Sequence, residues 1–477
     1  MSNGMVSFRD YEGVAGFGLS NQQEVDDLNK ALTTGTAFPA SSGGGVLRVE
    51  SLEATLRVLT FTLANIKFWK KIPKMPAFST VEEYNILTDY GADNGVFTAE
   101  GALPEVQDTS YARKSQLVKF LGVTGDVSHP ATMVRPAHGN VLALETQNKT
   151  QWLIERIERA LFSARSDYNT LAFDGVDRQI LDGAGITTPW STDPTTASGG
   201  IVIDLRGGQL TEDYLEQGCN TVVEQYGTPT ELYLTPRAMS DLSKSFYPKE
   251  RINLPYPTQG QVGLAVTSFV SSAGTVEFNS DVFLRPGRNN GVKAVQNTAS
   301  STKAPNAPTT VTIGAPTGSD GKFVAADAGV YTYAATAVNQ YGESAYTAGS
   351  GTATIAATNH VPITIVDGGA GGGAATSYRI YRTKAGGAVG TAQLMIEVPA
   401  ATGVAGFNDY NYWIPGCSKS YLFQNNMANF SFRQLAPMMK IPLATIAASI
   451  RWMQLLYGTP IVYTPKKNVV YINVSDG

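Results

Sequence analysis

At 477 residues the chain exceeds what one hydrophobic core usually organises, and 43% hydrophobic with 16% charged residues suits a folded, turn-rich protein rather than a disordered one. A net charge of -4 excludes a global basic footprint for nucleic acid, two cysteines (Cys219 and Cys417) exclude a disulfide framework, and no run approaches the roughly 18 apolar residues of a membrane span. Met1 to Asp10 lacks the charged-then-apolar pattern of a secretory leader, so the chain is expected to be cytoplasmic at synthesis.

Ser20 and Gln23 form a capping-box pattern ahead of Val25, Leu28 and Leu32, and Leu52, Leu56, Leu59 and Leu63 repeat the helical period; Ala40 to Gly45 reads as a connector between the two helices. Lys67, Lys70, Lys71 and Lys74, interleaved with Phe68 and Trp69, are the densest cationic segment. Its expected role is a subunit contact with lysine stems lying on apolar surface. Strand-like runs at Tyr84 to Leu87 and Gln116 to Thr124 flank a polar middle, which predicts a long two-stranded excursion. Such a ribbon is marginal in water and persists by leaning on another chain. Residues 141–166 read as the longest helix, with Leu153, Ile157 and Leu161 on one face and Glu155, Arg156, Glu158 and Arg159 on the others, a rod of roughly 39 Å.

Thr211 is a candidate N-cap for a helix to Tyr226, Glu231 to Leu234 a strand, and Thr235-Pro236 a cap and first-turn proline for another helix. Val262 to Val270 and Thr275 to Leu284 read as strands around Ala273-Gly274. From 305 to 413 charge falls to about 9%, helical periodicity disappears, and strand-like runs at Val330 to Val338, Val361 to Val366 and Tyr378 to Arg382 predict a β-sandwich, with 297–307 and 410–420 as linkers. Leu443, Ile446, Ile450, Met453 and Tyr457 then recur at helical steps, closed by Gly458 and Pro460, and Ile461 to Thr464 with Val469 to Val474 read as a terminal hairpin.

Catalytic patterns are not found. His129, His138 and His360 are too few and too scattered for an acid-base constellation, and Gly314 to Lys322 fails as a phosphate loop because its glycine spacing is two residues too long and Phe323 stands where Ser or Thr is required.

Four stretches carry a resemblance to the major capsid proteins of tailed phages, the Hong Kong 97 capsid fold: Gly95 to Gly101 with Pro104-Glu105 and Lys114 to Val127; the helix at 141–166; Gly175 to Ile186 leading to Leu210-Thr211 and Pro229 to Pro236; and Leu435-Ala436-Pro437, Pro442-Leu443, Tyr457-Gly458 and the terminal strands. Tyr331 to Ser344, Tyr378 to Arg382 and Phe407 to Asp409 resemble Ig-like or fibronectin-type strand signatures, in a shifted order. The resemblance implies an α+β fold with an inserted all-β sandwich: an N-terminal arm (1–75), an extended loop (76–128), a peripheral domain with a spine helix (129–200), an axial domain (201–298), the Ig-like insertion (299–419), and completion of the axial domain with a peripheral hairpin (420–477).

It also implies self-assembly into hexamers and pentamers of an icosahedral shell, a virion location, and no enzyme activity, cofactor or membrane contact. Scaffolding, portal and decoration proteins and non-specifically held DNA are the implied partners. Candidate inter-subunit contacts are Lys67, Phe68, Trp69, Lys70, Lys71, Lys74, Glu100, Glu105, Lys114 and Lys119. Some relatives join a loop lysine to a neighbour's asparagine; no partner asparagine matches here, so no cross-link is expected. An encapsulin-like compartment shell and a tail or adhesion protein are the competing readings.

Overall fold

The computed structural model describes residues 60–91, 96–134, 139–250 (side chains to 246), 266–284, 294–401, 403–445 and 447–475, nearly all within a compact unit formed by residues 59–133 and 142–477. The helix expected over 20–32, the connector 40–45, most of the Leu52 to Leu63 stripe, Gly95 and His138 lie outside the described residues.

In chain order, a one-turn helix α1 (Phe68–Lys71) and β1 (Lys74–Pro76) precede β2 (Val81–Asp89), β3 (Ser110–Leu117) and β4 (Lys119–Ser128). Helices α2 (His129–Met133), α3 (Val141–Ser163) and α4 (Val176–Gly183) lead to β5 (Val202–Asp204), α5 (Glu212–Glu224), β6 (Glu231–Leu234), α6 (Pro236–Glu250), β7 (Ser268–Ser271) and β8 (Gly274–Ser280). An all-β stretch follows: β9 (Thr310–Ile313), β10 (Gly329–Asn339), β11 (Gly342–Glu343), β12 (Thr347–Ile355), β13 (Val361–Val366), β14 (Ser377–Arg382), β15 (Gln393–Pro399) and β16 (Val404–Asp409). The chain closes with β17 (Cys417–Phe423), β18 (Phe430–Pro442), β19 (Ser449–Val462) and β20 (Val469–Ser475).

Two sheets organise the body, one ordered β1-β18-β19-β4 and the other β5-β20-β17-β6-β8-β7. Helix α3 lies on the first. Its Leu153, Ile157, Leu161 and Phe162 recur at helical spacing and enter a core shared with Ile180, Phe430, Phe432 and Leu456. Gln454 of β19 fixes the helix along its length, donating to the Thr146 carbonyl at 2.9 Å and accepting from the Thr150 hydroxyl at 3.2 Å. At Gly175 a Cβ would meet the Ala160 carbonyl at 2.7 Å, so glycine is what lets the start of α4 close onto the end of α3. Glu155 and Glu158 are not on outer faces of the helix as expected. Both are fully buried, a position that carboxylates occupy only when paired.

The helix expected around Ile450 to Tyr457 is instead the central strand β19, paired along Phe430 to Pro442 on one side and Lys119 to Ser128 on the other. Burial alternates with period two: Trp452, Gln454 and Leu456 face the core while Met453, Leu455 and Tyr457 stand on the opposite face. Pro460 is tolerated because β4 has ended by Gly458, leaving that edge of β19 free. The terminal hairpin is also corrected. Strand β20 pairs with β17 and, in parallel, with β5, while β19 belongs to the other sheet, so the turn at Pro465–Lys467 carries the chain between sheets. The run expected from Gln116 to Thr124 is two strands broken at buried Val118.

The all-β stretch forms two layers, β9-β13-β16 and β12-β10-β14-β15, connected by one parallel contact between Gly349 and Val311. Side chains from both layers share one core, including Val311, Tyr333, Ile363, Ile365, Ile380 and Phe407. The body sheet resumes at Cys417, inside the stretch expected to be a linker.

Candidate assembly surfaces

Strands β2 and β3 pair only with each other among the described residues, from Val81 opposite Leu117 to Asp89 opposite Ser110. The segment joining them carries large apolar side chains into solvent: Phe97 is 98% exposed, Leu103 90% and Val106 80%. Burying one such side chain on another surface is worth about 1.5–3 kcal/mol, so a cluster of them marks a contact site. Glu100 and Glu105 stand exposed in this segment and Lys114 is exposed on β3. Beside them Arg113 pairs with Glu83 at 2.6 Å across the ribbon. At the base, Tyr84 meets the Tyr463 ring edge-on at 5.0 Å, and its hydroxyl is pushed up to about 12 by burial and by Tyr463.

The cationic segment is placed differently from expectation. Phe68 is wholly buried in the chain's own core, its ring among Phe162, Tyr233, Phe423 and Phe430, so it is corrected from a contact residue to a core residue. The lysines mostly bind within the chain. Lys71 bridges Glu277 at 2.7 Å and Glu231 at 3.3 Å, Lys70 donates to the Leu63 carbonyl, and Lys74 lies 4.5 Å over the Trp69 ring while donating to the Trp69 carbonyl at 2.7 Å. Trp69 itself packs edge-on against Phe432 at 4.8 Å. Lys119 donates to the Thr170 carbonyl at 2.6 Å.

Sequence reasoning missed what holds this segment. Glu158, buried on α3, accepts the backbone N–H groups of Lys67 at 2.9 Å and of Phe68 and Trp69 at 2.7 Å each. Three donors at the start of α1 thus converge on one carboxylate, satisfying groups that a helix start leaves orphaned. Asp281, at the end of β8, sits beside it, and its carboxyl is raised to about 8 by burial and by the proximity of Glu158. The only signal in the sequence is a glutamate within a stretch that is otherwise a helical apolar face.

A second unexpected surface is the outer face of the β18-β19-β4 sheet. Phe120 is 66% exposed and meets Tyr457 edge-on at 5.0 Å, with Leu455 and Met453 next along the strand. Leu455 lies flat over Gly122, where a Cβ would approach its methyl at 2.6 Å. The result is a smooth, apolar, half-exposed strip.

The all-β stretch is fastened to the body at several points. Lys322 donates to Asp193 and to the Thr195 hydroxyl, both at 2.7 Å, Arg206 donates to the carbonyls of Asn411 at 2.9 Å and Lys322 at 2.5 Å, and the Trp413 indole donates to the Pro189 carbonyl at 2.8 Å. Burial pushes the Asp193 carboxyl up, but hydrogen bonds from Lys322 and Thr195 outweigh it and hold it below the usual carboxylate range. Among the described residues no three His, Cys, Asp or Glu side chains are grouped to hold a metal ion, and no helix is long and apolar enough to cross a membrane. Cys219 is buried, which pushes its thiol up to about 11, and neither it nor Cys417 forms a disulfide among the described residues.

No family model matches the chain. It is 25% identical over 476 residues to a protein of Enterococcus phage phiEF24C described as a putative major capsid protein, covering 95% of this chain and 96% of that one. It is 24% identical over 473 residues to the major capsid protein of Staphylococcus phage S25-3, again over 95% and 96% of the two chains. Among solved structures, a chain from the capsid of a native GTA particle superposes with a TM-score of 0.46 at 7% identity, over 93% of this chain and all of the other.

Proposed function

We infer that this chain is the major capsid protein of a tailed phage, a self-assembling shell subunit located in the virion. The observation that carries the inference is the end-to-end similarity to phage major capsid proteins, 95% of this chain against 96% of the relative. The alternatives, a compartment shell loaded with enzyme cargo and a tail or adhesion protein, have less support from those relatives.

Within that reading the subunit adopts the Hong Kong 97 arrangement. Residues 76–128 serve as the extended loop, α3 as the spine helix of a peripheral domain (129–200), and residues 201–298 with 420–477 as the axial domain with its closing strands. Support comes from the unpaired ribbon β2–β3, the long helix laid on a sheet, and a mixed sheet in which β20 and β17 return beside β5 and β6. The ribbon tip, with Phe97, Leu103, Glu100 and Glu105, packs on a neighbouring subunit. The apolar strip of Phe120, Leu455 and Tyr457 is its landing surface. Residues 299–419 form an Ig-like, fibronectin-type insertion, supported by three strands layered on four in antiparallel register. The topology is permuted: β10 and β12, which pair with each other, come before β13, β14, β15 and β16 in the chain. The insertion faces outward and reinforces contacts between capsomers or binds host-surface glycans. Assembly draws on separate scaffolding and portal proteins, and DNA is held non-specifically. No step of catalysis is assigned to the subunit, and its synthesis is cytoplasmic.

Negative-stain microscopy of the purified protein, with nuclease-resistant nucleic acid and co-purifying protein assayed in the same particles, tests the reading. Icosahedral shells that fill with DNA in a packaging reaction are expected. Only unassembled monomers, or shells consistently loaded with an enzyme, would overturn it.

A further inference from the structure

Most sheet edges in the chain are short or charged: β1 and β5 are three residues long, β7 is four, and β4 carries Lys119 and Asp126. Strand β16 is different. It ends the layer β9-β13-β16 and pairs with β13 alone, from Val361 opposite Asp409 to Val366 opposite Val404, with no break in register. Val404 to Asn408 hold no lysine, no proline and no bulge, the usual devices that keep an edge from pairing with another chain. The strand's one charge, Asp409, is buried and bound to Arg382 at 2.6 Å.

Three bonds fix the direction of its backbone groups. The Asp367 N–H donates to the Gly403 carbonyl at 3.0 Å, while on the other side of β13 Gly314 donates to the Pro362 carbonyl at 2.8 Å and Thr309 to that of Val366 at 3.0 Å. Alternation along an antiparallel pair then turns the N–H and C=O groups of Ala405, Phe407 and Asp409 towards β13 and those of Val404, Gly406 and Asn408 outwards. None of these outward groups has a hydrogen-bond partner among the described residues. Val404 is 54% exposed, Gly406 is exposed, and a Cβ built on Gly406 meets nothing within 4 Å. The side chains beside them on the outer face, Thr310, Thr312, Pro362, Thr364 and Val366, are uncharged.

We propose that β16 is a homotypic docking edge, pairing antiparallel with β16 of a second copy about a two-fold axis at Gly406. Centred there, Gly406 faces Gly406 and Val404 faces Asn408 on either side, so every outward donor meets an acceptor and none is left over. An isologous contact sets residues near the axis against their own kind, and the charge-free face permits this in a chain of net charge -4. A six-residue strand is about 20 Å long, and such a pair buries less than the roughly 1,200 Å² of a stable interface. The contact is therefore weak alone and gains from the other contacts of an assembly. It supplies the partner surface for the reinforcing role proposed above for residues 299–419, and its place between capsomers rests on that reading.

Gly406→Cys in the full-length protein tests the pairing. It sets two thiols across the axis, where the facing Cα atoms of a hydrogen-bonded pair stand about 5.5 Å apart, within disulfide reach. Concentrated unassembled subunits and purified particles are oxidised mildly and run on gels without reductant, the wild-type chain giving the background from Cys219 and Cys417. A disulfide dimer is expected in about tenfold excess over that background in particles, and over Val404→Cys, whose thiols would lie at opposite ends of the paired strands. Co-expressed Val404→Cys and Asn408→Cys chains are expected to link to each other, which tests the register with Gly406 intact. Absence of both links, in subunits and particles alike, overturns the pairing, and if particles have formed the shell reading still stands. A dimer through position 406 in a chain that never forms particles supports the pairing and overturns the shell reading instead. Val404→Cys linking to itself as readily as Gly406→Cys would mean random collision, and it too overturns the pairing.

Discussion

At the scale of single residues, stability rests on buried charges whose partners are distant in sequence. Glu158 gathers three backbone donors, and Asp281 lies against it at a raised pKa of about 8. An aspartate in the unfolded chain titrates near 3.9, so between roughly pH 4 and 8 the folded state binds a proton that the unfolded state does not. Stability contributed by this group is therefore complete below about pH 4 and is lost as pH rises through about 8. Asp281→Asn removes the titration, and we expect its melting temperature to exceed wild type at pH 8 and to match it near pH 4, as read by thermal melts across that range. In the all-β stretch, Arg382 is clasped by Asp409 at 2.6 Å and Asn411 at 2.7 Å, with the Tyr333 hydroxyl also on Asp409 at 2.8 Å. Asp409→Ala strands a buried guanidinium and should cost about 3–5 kcal/mol in denaturant unfolding of that layer pair. Asp409→Asn, which keeps an acceptor, should cost less.

At the scale of elements, the ribbon β2–β3 is where folding and assembly can be tested apart. Its tip contributes no side chain to the cores described above, so the double substitution Phe97→Asp with Leu103→Asp should leave the melting temperature of the unassembled subunit unchanged while abolishing particles in sedimentation and electron microscopy. Intact shells from that variant would show that the tip is not a contact. What could be read from sequence follows a simple division. Helix α3, the cap at Thr235, whose hydroxyl accepts from the Ala238 N–H at 3.3 Å, and strand β13 are set by local period and capping, and they lie where expected. Strand β19 does not, because Ile450, Met453 and Tyr457 fit a helical step by coincidence while pairing on both sides rewards the alternation of Trp452, Gln454 and Leu456. The lock on α1 was illegible for the same reason at longer range: Glu158 meets backbone groups about 90 residues earlier, and no local pattern encodes that meeting.

At the scale of the whole molecule, the all-β stretch is better described as a fastened layer than as a tethered module. Trp190 of the body packs on the core of that stretch, Trp413 ties its exit to Pro189, and Lys322 reaches out of it to Asp193 and Thr195. Deleting residues 305–413 would therefore also uncover Trp190 and unpair Asp193, so a deletion variant tests the fastening as well as the module's independence. The pair Lys322–Asp193 gives a cleaner handle. Because Asp193 is held below the usual carboxylate range, its contribution is present above about pH 4 and is lost as pH falls through its depressed folded value. Lys322→Met removes the partner at every pH. We expect limited proteolysis of the loops around 193 and 322 to be faster in Lys322→Met than in wild type at pH 7, and the two rates, measured with an acid-stable protease, to converge in acid below the usual carboxylate range, once the wild-type carboxyl protonates. A difference that persisted unchanged in acid would mean that the lysine acts through packing on Tyr412, whose ring it overlies at 5.4 Å, rather than through the ion pair.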